Sequence, residues 1–365
     1  MNKVQEHFHG SDLEKVERTF GIPKETITSF GANVNPLGIS PMLRENLAAH
    51  IDAITSYPDR EYTDLRTAIS IYTGAPLESI MVGNGSTELI GLFIQIEQPK
   101  KALIISPTYS EYEREIKLSG GTCLHHYLKE ASAFQIDIDA LLGDITDEID
   151  LLIICNPNNP TSTIIPRDAM DRILSHCRKT NTFVLIDETY IEFAPDMEEV
   201  TAIPLTKTYP NMVILRGISK FFAAPGLRLG YSICQNKELY ARMKEIKNPW
   251  TINSLAGVAG EIMFSDHSYI MESKQFTNTE REFCKKALDH MKNVRYYDSY
   301  GNFILVKILK PGVSSYDLFV HCIKKGLMIR DCSDFAGLDE TFVRFCFMSH
   351  EKNVALMDAF SQMLS

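Results

Sequence analysis

The chain predicts an α/β fold, a sheet with helices on both sides followed by a smaller α+β lobe. Three observations predict it. Short apolar runs each end in a polar cluster: residues 102–105 before Ser106-Pro107-Thr108-Tyr109, 151–155 before Asn156-Pro157-Asn158-Asn159-Pro160-Thr161, 183–186 before Asp187-Glu188, and 213–215 shortly before Lys220. Uninterrupted apolar runs of this length suit strands covered on both faces. Between them lie helical patterns such as residues 167–180, and from about Asn253 the character shifts.

Taken in order, the first forty residues are turn-rich, with Asn33, Asn35, Pro36 and Gly38 close together, and predict an arm (1–40) that packs on the smaller lobe. Residues 41–252 carry the sheet. Gly83-Asn84-Gly85-Ser86-Thr87-Glu88 opens a helical pattern over 89–96, and backbone donors at such a start suit a phosphate. His125 and His126 are adjacent on a strand and therefore face opposite ways, which gives no metal-ligand spacing. Residues 253–365 begin with a long polar helical stretch to Asp289 and continue through strands near 302–307 and 342–347, a connecting helix and a small domain.

The 37 basic and 47 acidic residues give a net charge of −10, which argues against a nucleic-acid surface, so any anionic ligand must be caught locally. No apolar stretch reaches the ~18 residues of a membrane span, and the amino terminus lacks the apolar core of a signal peptide; a cytoplasmic protein is expected. Eight cysteines without Cys-x-x-Cys spacing predict reduced thiols rather than disulfides or a zinc site.

In open α/β sheets the ligand crevice lies beyond the carboxyl ends of the strands, where all four polar clusters fall. Lys220 follows a strand, and Arg228, eight residues on, stands between Gly226 and Gly230. An amine that condenses with a carbonyl must be unprotonated part of the time, and a phosphate beside it needs fixed positive charge. Taken alone, a lysine and an arginine at this spacing are an ordinary solvated face, and Asp187 could simply cap a helix. Together they suggest a pyridine cofactor whose ring nitrogen an aspartate keeps protonated.

These residues resemble the fold type I pyridoxal-phosphate enzymes over nearly the whole chain, and within them the threonine-phosphate decarboxylases of cobalamin biosynthesis, with histidinol-phosphate aminotransferases as near relatives. The resemblance implies a mostly parallel mixed sheet, pyridoxal 5'-phosphate as cofactor, and Lys220 as the lysine that carries it. By the same resemblance Asp187 would face the ring nitrogen, Tyr190 and Asn159 would bond the ring oxygen, and Tyr109 would stack on the ring. Gly85, Ser86, Thr87, Ser219 and Arg228 would hold the cofactor phosphate. Tyr57 resembles the tyrosine that reaches the partner's cofactor phosphate, which implies a homodimer with a shared active site. Arg344 matches the arginine that grips the substrate carboxylate, with Asn159 beside it, while Arg330 and His9, with Gly10, match residues that meet the substrate phosphate. Pro249-Trp250 followed by Asn253 is a further decarboxylase-like feature.

The implied reaction is decarboxylation of L-threonine O-3-phosphate to (R)-1-aminopropan-2-yl phosphate, the linker of the cobamide nucleotide loop. L-serine O-phosphate to ethanolamine phosphate is a close variant, and histidinol-phosphate transamination is the alternative. A non-catalytic ligand-binding protein is disfavoured, because every residue of the chemistry is present. Three positions depart from the resemblance. Gly217 stands for a serine and predicts weaker cofactor binding, Ser162 stands for a glycine, and Phe347-Met348-Ser349 stands where a second basic residue is common, a change expected to alter the pocket.

Overall fold

A computed structural model describes residues 8–365. Its main sheet has seven strands in the order Ile80–Asn84, Leu229–Ile233, Met212–Gly217, Phe183–Asp187, Leu151–Cys155, Lys101–Ser106 and Thr122–Tyr127. All run parallel except Leu229–Ile233, which is antiparallel to both neighbours. The central strands are buried throughout apart from the half-buried Phe183, as their Leu, Ile and Val runs require.

Helices cover both faces. Arg167–Lys179 illustrates why they form: Met170, Ile173, Leu174 and Cys177 make one apolar stripe at helical spacing and are fully buried. Each contributes about 1.5–3 kcal/mol of burial for the larger side chains. Asp168 in the first turn and Arg178 and Lys179 in the last oppose the helix dipole.

A second, antiparallel sheet orders Arg330–Asp331, Phe342–Cys346, Phe303–Ile308 and Val294–Tyr296. Its core includes residues of the amino-terminal segment: Phe8 stacks on Phe319 at 5.3 Å, and Thr28–Ser29 pairs in parallel with Leu327–Met328. The predicted single helical stretch from Asn253 to Asp289 is instead two helices, Ser254–Ser265 and His267–Asp289. Asp266 breaks it, because its carboxylate accepts from the Tyr269 amide and caps the second helix. Asn253 caps the first in the same way, through the Ala256 amide. Residues 1–7 of the expected arm lie outside the described residues. The eight cysteines are all free thiols, seven of them buried, and among the described residues no helix is long and apolar enough to cross a membrane.

Candidate active site

A cleft of about 300 Å³ opens where the carboxyl ends of the main strands meet the small sheet and the amino-terminal segment. It gathers Tyr109, Asn159, Asp187, Tyr190, Ser219, Lys220 and Arg228 from the main sheet, Ser86 and Thr87 from the helix start, Arg330 and Arg344 from the small sheet, and His9. Three expected residues do not line it. Gly85 lies beneath Arg228, Gly10 is packed against Gly31, and Tyr57 is 85% exposed beside Trp250, at 5.5 Å between rings.

Lys220 stands just past the strand Met212–Gly217. Its Nζ donates to the Ala32 carbonyl at 2.7 Å. Burial, with the Arg344 and Arg228 guanidinium groups adding to it, brings the amine down to about 8, so that a useful fraction is neutral near neutral pH. Asp187 ends the neighbouring strand. Tyr112 Oη donates to its Oδ2 at 2.6 Å, and the Thr189 amide and hydroxyl donate to Oδ1 at 2.9 and 2.5 Å. Burial nevertheless raises its carboxyl above the usual range, which is the electrostatic setting of an acid lacking a cationic partner.

The cradle for a phosphate is built from close approaches. Gly85 takes φ +76° at the start of the helix Gly85–Glu97, and a Cβ there would come within 2.3 Å of Arg228 Nη2. Any larger residue would be strained at that φ and would push the arginine tip aside. Arg228 itself is left-handed, at φ +57°. Gly217 also borders the cleft, but a Cβ there would meet Ser86 Oγ at an ordinary 3.5 Å, so the missing serine is not excluded by space.

Opposite the cradle, Arg330 and Arg344 are direct cross-strand partners. Arg344 donates to Asn159 Oδ1 and, at 2.6 Å, to the Gly31 carbonyl, while its Nε is buried with no partner among the described residues. Arg330 donates to the Phe8 carbonyl at 3.0 Å and to both oxygens of Asp334 at 2.7 Å. His9, at the mouth, is lowered by burial and then by Arg330. Tyr190 Oη accepts from Asn33 Nδ2 at 3.3 Å, and Asn33 Oδ1 is a buried acceptor without a partner among the described residues. A reactive amine, a buried acid, a phosphate cradle and unpaired buried polar atoms fit a pyridoxal phosphate with a carboxylate-bearing substrate.

Sequence reading did not single out Tyr112 or Asp334, and it saw Asn33 only as a turn residue. Tyr112 and Asp334 carry a local hint, being close in sequence to Tyr109 and Arg330, but their contacts are set by the fold. Of the departures, Ser162 adopts φ +60°, which explains the glycine preference there. Its hydroxyl accepts from the amides of Tyr300 and Gly301 at 3.1 and 2.8 Å. Phe347, Met348 and Ser349 do not border the cleft, so the pocket change expected from them is not found: Met348 is tied to Asn353 through its backbone and packs between the cores.

The chain is similar to known proteins along most of its length. A threonine-phosphate decarboxylase of Salmonella typhimurium is 31% identical over 98% of this chain and 96% of its own. A protein of Caldanaerobacter subterraneus subsp. tengcongensis, provisionally named a threonine-phosphate decarboxylase, is 38% identical over 90% of this chain and 88% of its own. Among solved structures, a histidinol-phosphate aminotransferase from Clostridium acetobutylicum superposes with a TM-score of 0.85 at 34% identity, covering 91% of this chain and 98% of that one. The model of the family described as aminotransferase class I and II matches residues 25–360. The chain therefore belongs to the class I and II aminotransferase family and is a pyridoxal-phosphate-dependent enzyme of fold type I.

Proposed function

We propose that the protein decarboxylates L-threonine O-3-phosphate to (R)-1-aminopropan-2-yl phosphate, the linker of the cobamide nucleotide loop. The observation that carries this reading is the pairing of Arg330 with Arg344 across adjacent strands, over the cleft that holds Lys220. Directly opposed side chains start about 4.5–5.5 Å apart at Cβ. Two guanidinium groups so close suit a substrate with two anionic groups on neighbouring carbons, a carboxylate and a phosphate ester. Arg344, with its unpaired Nε and Asn159 beside it, takes the carboxylate; Arg330 and His9, with Gly10 behind them, take the phosphate.

Pyridoxal phosphate supplies, when bound, an electron-accepting ring. Lys220 is the amine that carries it and the group that moves a proton at the substrate α-carbon. Asp187 partners the ring nitrogen, Tyr190 and Asn159 the ring oxygen, and Tyr109 the ring face. Ser86, Thr87, Ser219, Arg228 and the Gly85 backbone hold the phosphate. The exposed Ile54, Tyr57 and Trp250 support a homodimer in which Tyr57 serves the partner's site; sedimentation at a monomer mass would overturn that part.

Which bond breaks at the α-carbon depends on how the two arginines orient the substrate. The test is incubation of holoenzyme with L-threonine O-3-phosphate, L-serine O-phosphate and histidinol phosphate. Carbon dioxide release without any 2-oxo acid is expected, and strict dependence on a 2-oxo acid would favour the transaminase reading that the Clostridium structure supports. Lys220→Ala is expected to abolish turnover and leave a folded protein; retained activity would remove that lysine from its role.

A further inference from the structure

Tyr190 is buried, lines the cleft and packs edge-on against Phe303 at 5.0 Å between ring centroids. Its hydroxyl has one hydrogen-bond partner among the described residues, Asn33 Nδ2 at 3.3 Å. An amide nitrogen has no free lone pair and can only donate. Tyr190 Oη is therefore the acceptor in that bond, and its own proton is left without an acceptor among the described residues. Burial raises the pKa of the hydroxyl, so the proton stays on it and has to be directed somewhere. Buried donors find acceptors. The open space in which an acceptor can stand is the cleft that Tyr190 lines.

Asn33 is itself fixed in place. It is 1% exposed and takes φ +56°, a left-handed conformation that asparagine adopts more readily than most residues. Its carbonyl accepts from Asn302 Nδ2 at 3.0 Å, and the two carbonyls before it accept from Arg344 at 2.6 Å and from Lys220 Nζ at 2.7 Å. Just beyond it the Asn35 amide donates to the Lys220 carbonyl at 2.9 Å, and Asn35 Nδ2 to the Phe221 carbonyl at 2.9 Å. The segment 31–35 is thus tied to the strand end that bears the amine and to the small sheet, and the Asn33 side chain lines the cleft beside Tyr190.

We infer that Asn33 is a positioning residue for the reaction: by donating to Tyr190 Oη it leaves the tyrosine's single proton directed into the cleft, as a donor to the ring oxygen of the cofactor. The inference rests on the reading of Tyr190 as a partner of that oxygen. A donor aimed in advance favours the anionic form of the oxygen, and a hydroxyl that also accepts a bond donates more strongly. Asn33 acts only through Tyr190.

The test titrates the visible absorption of holoenzyme with pH, where the midpoint reports the proton held between the Lys220 nitrogen and the ring oxygen. Arg344, Asp187 and Cys155 also face Tyr190 and are kept in every variant. Asn33→Gly removes the amide and keeps a residue that accepts the left-handed backbone. Its midpoint is expected about 0.5–1 pH unit above the parent's, the reach of one neutral hydrogen bond, and that of Tyr190→Phe higher still. In a Tyr190→Phe background Asn33→Gly should add nothing, because its effect passes through the hydroxyl. Asn33→Asp keeps the shape but turns the tyrosine proton toward a carboxylate, so its upward shift should exceed the one it gives in the Tyr190→Phe background, where its charge alone acts. Urea midpoints check folding, and Asn33→Asp decides if the glycine variant does not fold. If Tyr190→Phe leaves the midpoint unchanged, the assignment of Tyr190 to the ring oxygen fails. If Tyr190→Phe raises it while Asn33→Gly leaves it unchanged, lowers it or shifts it equally in both backgrounds, Asn33 does not direct that proton and this inference alone is overturned.

Discussion

Gly217→Ser tests whether the site lacks one phosphate contact. Gly217 ends the strand that leads to Lys220 and borders the cleft. A Cβ there would meet Ser86 Oγ at 3.5 Å, Ser86 Cβ at 3.8 Å and the Leu229 carbonyl at 3.9 Å, all ordinary contacts, so the side chain enters without displacing its neighbours. Its hydroxyl would join those of Ser86 and Ser219 at the cradle. One hydrogen bond to a charged group, discounted for competition with water, is worth about 1 to 2 kcal/mol, or about 5- to 30-fold in the dissociation constant of the cofactor. The assay is titration of apoenzyme with pyridoxal phosphate, followed by visible absorption. Gly217→Ala supplies the carbon without the hydroxyl and is expected to bind within about twofold of the parent, since an added methyl in ordinary contact costs little. Serine binding no tighter than alanine would refute the missing-contact argument, and weaker binding by both would refute the claim of available space.

Other outcomes follow from single groups. Ser162→Ala leaves two amides without their acceptor and keeps a left-handed backbone, so the urea midpoint should report a loss of about 2–3 kcal/mol, with Ser162→Gly milder because glycine relieves the backbone. Tyr112→Phe removes the 2.6 Å donor from Asp187 and should destabilise the apoenzyme by about 1.5–3 kcal/mol, read in the same way. Capture of cofactor by the apoenzyme requires the neutral Lys220 amine, so its rate should rise about tenfold per pH unit below a midpoint near 8 and level off above it. Stopped-flow absorbance checks this; in Arg344→Gln, with a repelling charge gone, the midpoint should move upward, and a parent midpoint near that of free lysine would contradict the burial of the amine.

The parts of the fold that were legible in the sequence are those whose physics is local. Strands buried on both faces must be apolar throughout, so the runs ending at Ser106, Cys155, Asp187 and Gly217 announced themselves, and the chemistry clustered at their ends. The antiparallel strand Leu229–Ile233, inserted beside Ile80–Asn84, was not legible. Its pairing joins segments about 150 residues apart, and nothing in either segment encodes the partner. The same holds for the cleft. Lys220, Asp187 and Arg228 were visible as types at a spacing, whereas Tyr112 meets Asp187 across 75 residues and Asn33 meets Tyr190 across 157. The break at Asp266 was readable in principle, since an aspartate before an apolar-periodic run is a cap signal, but a helical pattern on both sides of it masked the cap.

What ties the strand ends that lead to Asp187 and Lys220 lies on the other face of the sheet. Strand alternation sends Asp187 to the cleft and Glu188 away from it, and Glu188 is fully buried. The register that sets Asp187 opposite Leu215 brings Glu188 opposite Arg216, whose Nε and Nη2 donate to Glu188 Oε2 at 2.9 and 2.7 Å. Thr201 and the Ala202 amide satisfy the remaining carboxylate valences. Such a pair adds little net stability, because desolvation offsets the attraction, yet breaking it by removing one partner costs about 3–5 kcal/mol. Its effect is geometric: it ties the strand end that presents the acid to the strand end that presents Gly217 and, three residues on, the lysine. The strand ends that lead to the two reactive groups are thereby tied by a buried, hydrogen-bonded ion pair that touches neither, and the Ala32 carbonyl then holds the amine beyond the strand.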